Sequence, residues 1–99
     1  MFNGTSKFPL GRLLATPGAL AVLEEARQTP LEFIARHAHG DWGDVCADDK
    51  QANEDALVDG SRLLSSYKTS NGEKLWVITE AQDDNGQRGA TTILRADEY

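Results

Sequence analysis

Lys74-Leu75-Trp76-Val77-Ile78-Thr79-Glu80 is the stretch whose reading decides the fold. Leu75 and Val77 point to one side of an extended chain while Trp76 and Ile78 point to the other, so the segment predicts a central strand covered on both faces. Residues 62–69 before it and 90–95 after it share its richness in β-branched and aromatic residues. Asn71-Gly72 joins the first two segments with a strong short-range hairpin signal, and Asp83-Asp84-Asn85-Gly86 supplies a polar second turn within residues 82–88. The C-terminal third is therefore expected to form a three-stranded antiparallel meander.

Upstream of residue 60 the hydrophobic period changes from two to 3.6. Thr16-Pro17 supplies an N-cap hydroxyl and a proline at the first helical position, predicting a helix to about Arg27 with Leu20, Leu23 and Ala26 facing inward. Thr29-Pro30 repeats the device, with Glu32 placed to complete a capping box, and predicts a second helix over 30–39. Leu31, Ile34, His37 and Ala38 share its inward face, and Gly40 ends it. A third, weakly apolar helix is expected over 45–59, with Asp44 as its cap, Asp48 and Asp49 in its first turns, and Val45, Ala52 and Ala56 or Leu57 as a thin stripe. Residues 10–15 read as a short N-terminal strand and residues 1–9 as a loose leader. The expected architecture is a single α+β domain over residues 10–99: a short strand, two to three helices, then the meander.

At 99 residues the chain accommodates one core. Its net charge of −6 is confined, because residues 41–60 carry seven acids and one base while the other residues balance at nine of each. No cluster of Lys and Arg exists to run along a phosphate backbone, so direct nucleic-acid binding is not expected. Lys7 and Arg12 precede an apolar run, and Ala19-Leu20-Ala21 imitates a cleavage site, but Pro17-Gly18 breaks the run, so neither a signal peptide nor a membrane span is expected. The lone Cys46 fits a reducing, cytoplasmic setting.

Few residues suggest chemistry. His37-Ala38-His39-Gly40-Asp41 matches the HxHxD part of a metallo-β-lactamase signature, but Trp42 stands where a further histidine belongs and no later histidine completes the sphere. On a helix the two imidazoles also lie about 200° apart, so they are read instead as interacting with the dipole and the last carbonyls at a helix C-terminus, and no metal or other cofactor is expected. Residues 41–55 lack the spacing of a calcium loop. Asp44, Asp48 and Asp49 disfavour a Cys46 thiolate. Ser65, Ser66 and Thr69 lie in a strand with no nucleophile elbow. The candidate interaction surface is therefore Asp41, Trp42, Asp44, Asp48, Asp49, Asn53 and Glu54, offered by an acidic helix and a tryptophan turn to a protein partner, a basic one among the candidates. Trp42 reads either as a core plug or as an exposed contact, and Asn53 as a mid-helix residue that faces water or bonds locally. Two alternatives remain: a small hydrolase using Cys46 with His37 or His39, and a self-associating protein, such as a homodimer, that pairs through an open sheet edge.

Four strings, Leu14-Ala15-Thr16-Pro17-Gly18-Ala19-Leu20, Gly40-Asp41-Trp42-Gly43-Asp44, Trp76-Val77-Ile78-Thr79-Glu80-Ala81 and Thr91-Thr92-Ile93-Leu94, carry a resemblance that runs from Leu10 to Tyr99. Together the chain resembles a family of small bacterial proteins encoded on plasmids and integrated mobile elements. The resemblance implies an intracellular accessory protein that works by interaction, and it brings no activity, cofactor or catalytic residue to transfer. The turn at 82–88 is longer than the family pattern, which leaves its role open.

Overall fold

The computed structural model describes residues 6–99. In chain order it contains β1 (Arg12–Ala15), α1 (Pro17–Ala26), α2 (Pro30–Ala38), α3 (Ala47–Asp59), β2 (Leu63–Lys68), β3 (Lys74–Thr79), β4 (Ala90–Arg95) and a 3-10 turn over Ala96–Glu98. The α+β class and the N-terminal strand are as expected. The sheet differs: it has four strands in the order β1-β4-β3-β2, and β1 runs parallel to β4 while the other pairs are antiparallel. A meander alone would leave β4 as an edge. Arg12 N–H donates to Gly89 O and Thr16 N–H to Ile93 O, so the chain start covers that edge after a crossover through all three helices.

The local signals account for most helix boundaries. Thr16 Oγ1 accepts from Ala19 N–H at 3.2 Å, and Arg27 closes α1 in the left-handed region. The capping box at Thr29 does not form: its side chain makes no cap bond, and Glu32 instead accepts from Gln28 Nε2 at 2.9 Å. The cap of α3 is Cys46 rather than Asp44, which lies two residues before the cap with its backbone N–H donating to Ser66 O at 2.6 Å. Leu23, Ile34, His37 and Ala38 face inward as expected, but other members of the two stripes differ. Ala19, Val22 and Leu23 are buried while Leu20 is 48% exposed, and Phe33 and Ile34 are buried while Leu31 is 52% exposed. Ala52 is exposed and Asn53 takes the inward place beside Ala56.

Pairing registers place Leu63, Thr79 and Thr91 in one row across the inner face of the sheet, Ser65, Val77 and Ile93 in the next, and Tyr67 and Leu75 in a third. Helices α1 and α2 lie over the apolar part of this face, where Ala19, Val22, Leu23, Phe33 and Ile34 pack with Tyr67, Leu75, Val77 and Ile93. A second cluster, Phe8, Trp42, Ala56 and Leu63, ties α3 and the preceding turn to the other end. Phe8 falls within the segment expected to be a loose leader, yet it is buried, and Lys7 N–H donates to Ala38 O at 2.8 Å. The rest of that expectation, residues 1–5, lies outside the described residues. On the outer face Trp76 and Ile78 are half-buried, so β3 is central but more thinly covered there than expected.

The two sheet edges are treated differently. Along β2, Asn53 Nδ2 donates to Leu64 O at 2.7 Å and Asn53 Oδ1 accepts from Leu64 N–H at 3.0 Å, so one side-chain amide stands in for a neighbouring strand. Ser66 N–H donates to Trp42 O at 3.1 Å, completing the cover. Gly43 makes this approach possible, since at φ +73° a Cβ would fall 2.0 Å from Ser66 O. Replacing Asn53 strands a partly buried donor and acceptor together. Asn53→Ala is expected to lower unfolding free energy in urea by roughly 2 kcal/mol, and Asn53→Asp to recover little of it, because a carboxylate cannot donate to Leu64 O.

Candidate functional site

The acidic segment runs from the α2 C-terminus through α3, and its geometry separates the seven candidate residues. Asp41 is a turn anchor: its Oδ2 accepts from Arg36 Nε at 2.7 Å, its Oδ1 from Gly43 N–H at 3.2 Å, and its carbonyl from Tyr67 Oη at 2.5 Å. The Arg36 hydrogen bond holds the Asp41 carboxyl below the usual carboxylate range. Arg36 also lies over the Tyr67 ring, 4.5 Å from its centroid.

Trp42 is buried, 5% exposed, and its Nε1 donates to Glu54 Oε2 at 2.9 Å. The core-plug reading of Trp42 therefore holds, and the expected tryptophan contact surface does not exist. Asn53 is buried against β2 rather than facing water, so it too leaves the surface. Glu54 is tied to Trp42. Asp41 and Glu54 are exposed with their carboxylates engaged in these bonds, while Asp44, Asp48 and Asp49 are exposed with no side-chain bond of this kind, the last two in the first turn of α3, where the helix dipole favours negative charge.

Beside them lies a groove of about 290 Å³, lined by Asp49, Ala52, Asn53, Arg62, Leu64 and Trp76. Its floor is the thinly covered outer face of β2 and β3, and its acidic wall is α3. At its far end Tyr99 packs edge-on against Trp76 with centroids 5.1 Å apart, and Arg62 Nη1 donates to Tyr99 Oη. The arrangement offers one carboxylate, one guanidinium and an indole around a half-apolar floor, which suits the recognition of a side chain or short segment and contains no nucleophile and base in contact.

The histidines do something else. His39 is exposed, whereas His37 is fully buried, with Nδ1 2.5 Å from Ser65 Oγ and Nε2 2.9 Å from Thr79 Oγ1. Thr79 Oγ1 in turn lies 2.6 Å from Thr91 Oγ1, which donates to Leu10 O at 2.7 Å. A carbonyl can only accept, so the Thr91 proton is spent there, and Thr79 must donate to Thr91. Nothing is then left on Thr79 to give to the imidazole. His37 therefore carries its proton on Nε2 and accepts from Ser65 at Nδ1, making one directional chain from Ser65 to Leu10. The expected interaction of His37 with the last carbonyls of its helix is replaced by this relay. Phe8 and Trp42 close over the ring edge-on, at 5.2 and 5.7 Å between centroids.

Burial first, and the nearby Arg88 cation second, push the His37 pKa down from 6.5 to about 3. A base so engaged and so weak is not available to Cys46, which lies exposed at the α3 N-cap. Ser65 and His37 form the nucleophile-like pair that the sequence did not reveal, but both are fully buried, so the pair is structural. Arg88 is the other unforeseen residue. It gives the long turn a role: its guanidinium donates from Nη1 to Ser61 O at 2.8 Å and Glu80 O at 2.9 Å, and from Nη2 to Ala56 O at 3.1 Å, clamping the end of α3 to the second hairpin. Among the described residues no group of His, Cys, Asp and Glu is placed to hold a metal ion, and no helix is long and apolar enough to cross a membrane.

The linkage sign for His37 follows from its lowered pKa. The unfolded chain binds the proton from about pH 6.5 downward and the folded chain only near pH 3, so the stability it contributes is complete above pH 6.5 and is lost as pH falls, by about 1.4 kcal/mol per unit. Between pH 6.5 and 4.5 the native chain is expected to lose about 2 kcal/mol more than His37→Gln, measured by urea unfolding at both pH values. Equal losses would contradict the buried neutral imidazole.

No family model, curated protein or solved structure matches the chain. The functional reading therefore rests on the geometry of the groove and of the acidic wall beside it.

Proposed function

We propose that the protein is a non-enzymatic binding module whose outward α3 carboxylates and adjoining groove receive a basic segment of a partner protein. The observation that carries this reading is the groove itself, whose lining joins the Asp49 carboxylate to the apolar Leu64 and Trp76, with the Arg62 guanidinium turned to the Tyr99 hydroxyl. A basic side chain has an apolar stem as well as a charged head, and this pairing of a carboxylate rim with an indole floor accommodates both. The acids carry little internal duty at Asp44, Asp48 and Asp49, so their charge is free to steer a cationic partner. As part of the same proposal, we read the protein as an intracellular accessory factor of bacteria, a reading supported by its resemblance to mobile-element proteins.

The test compares capture of a host-cell partner by the native chain and by the double variant Asp48→Lys/Asp49→Lys. The variant is expected to keep its melting temperature within a few degrees and to lose the partner, and native binding is expected to weaken as salt rises. A partner retained equally by both proteins would contradict the assignment. Trp76→Ala is expected to weaken the same capture by at least tenfold.

A further inference from the structure

The sheet edge opposite α3 is open. In a parallel ladder in which Arg12 and Thr16 donate to β4, the N–H and C=O groups of Leu13 and Ala15 turn outward, and no partner covers them among the described residues. Leu13 and Leu14 are 46% and 39% exposed on this strand. A small apolar groove of about 120 Å³ lies between them and the first turn of α2, lined also by Ala15, Pro30, Leu31 and Ile34. Open backbone groups beside exposed leucines make an edge that adds a strand.

We infer that the occupant is a second copy of this chain, joined β1 to β1 in antiparallel register about a two-fold axis at Leu14. Three features of the chain favour its own copy. In this register Leu13 of each copy faces Ala15 of the other, and all the outward backbone groups of those residues pair. Arg12 of each copy then faces Thr16 of the other, on the same face of the joined sheet. The Thr16 hydroxyl donates to the Glu98 carboxylate at 2.6 Å, so each Arg12 guanidinium, which makes no ion pair among the described residues, arrives beside a carboxylate of the second copy. Finally, the excess negative charge lies on α3 against β2, at the opposite edge. At about 4.8 Å per strand the two β2 strands of the joined sheet stand roughly 34 Å apart, several times the Debye length of about 8 Å at physiological salt, so the acidic faces do not oppose association. The four-residue strand and its leucines bury a small interface, which makes the dimer concentration dependent. The α3 groove stays free in it, so this inference stands apart from the partner-binding reading.

Sedimentation velocity on the full chain from about 10 µM to about 1 mM tests it. The native protein is expected to move from monomer to dimer across that range. Leu14→Lys, which sets two ammonium groups face to face on the axis, and Arg12→Glu, which sets a carboxylate against Glu98 of the second copy, are each expected to weaken association at least tenfold. Arg12 is exposed, so Arg12→Glu remains informative if Leu14→Lys folds poorly. The control Asp48→Lys/Asp49→Lys is expected to dimerise as the native chain does. A native chain that stays monomeric at the highest concentration, or a dimer that both edge variants leave intact, overturns the inference.

Discussion

One neutral imidazole holds the two halves of this molecule together. His37 comes from the last turn of α2, and its ring bridges Ser65 on β2 and Thr79 on β3, with Thr91 on β4 next in the chain of hydroxyls. Each donor in that chain has one acceptor, so the relay has one direction and the ring one tautomer. Three hydroxyls on the inner face of the sheet and an imidazole against them would otherwise be a liability, since each unsatisfied group costs about 1–3 kcal/mol. Joined, they select a single placement of α2 over the sheet. The same ring supplies the surface on which Phe8 and Trp42 settle, and Trp42 brings the acidic segment with it.

From that point the position of α3 follows. The tryptophan is fixed by its indole bond to Glu54, the turn before α3 lies along β2 through Gly43, and Asn53 lends its amide to Leu64. Arg88 closes the far end of the helix. Helix α3 thus owes its place to polar contacts made at its edges together with one short apolar contact at Ala56, and its outer face is left to water. One sheet edge is consumed in this way while the other keeps its backbone groups turned outward. The proposed partner binding on the acidic side and the inferred self-association at the open edge both start from this contrast.

Local patterns made much of this legible in the sequence. Thr16-Pro17 marked α1, Asn71-Gly72 marked the β2–β3 hairpin, and alternation in 74–80 marked a central strand, because each depends on neighbours a few residues away. The parallel pairing of β1 with β4 did not show, since it joins residues nearly eighty positions apart and leaves no local mark on either. The candidate site was legible as a charge block and misread in detail. Trp42 and Asn53 carry the same letters whether they face water or a strand edge, and only the tertiary contact with β2 decides. His37 showed inward periodicity, yet its partners Ser65, Thr79 and Thr91 look like ordinary strand residues. Arg88 sits in a polar turn, and nothing in the turn signals that its guanidinium will be buried among carbonyls.

A small domain gains specificity from such a relay because its core alone has few layers to define a unique packing. The most direct measurement is the protonation state of the His37 ring by ¹⁵N-resolved NMR across pH 7 to 4. The relay predicts a single tautomer with the proton on Nε2, slow to exchange with solvent, and unchanged across that range because the pKa lies near 3. A ring that populates both tautomers, or that titrates near 6.5, would contradict the account.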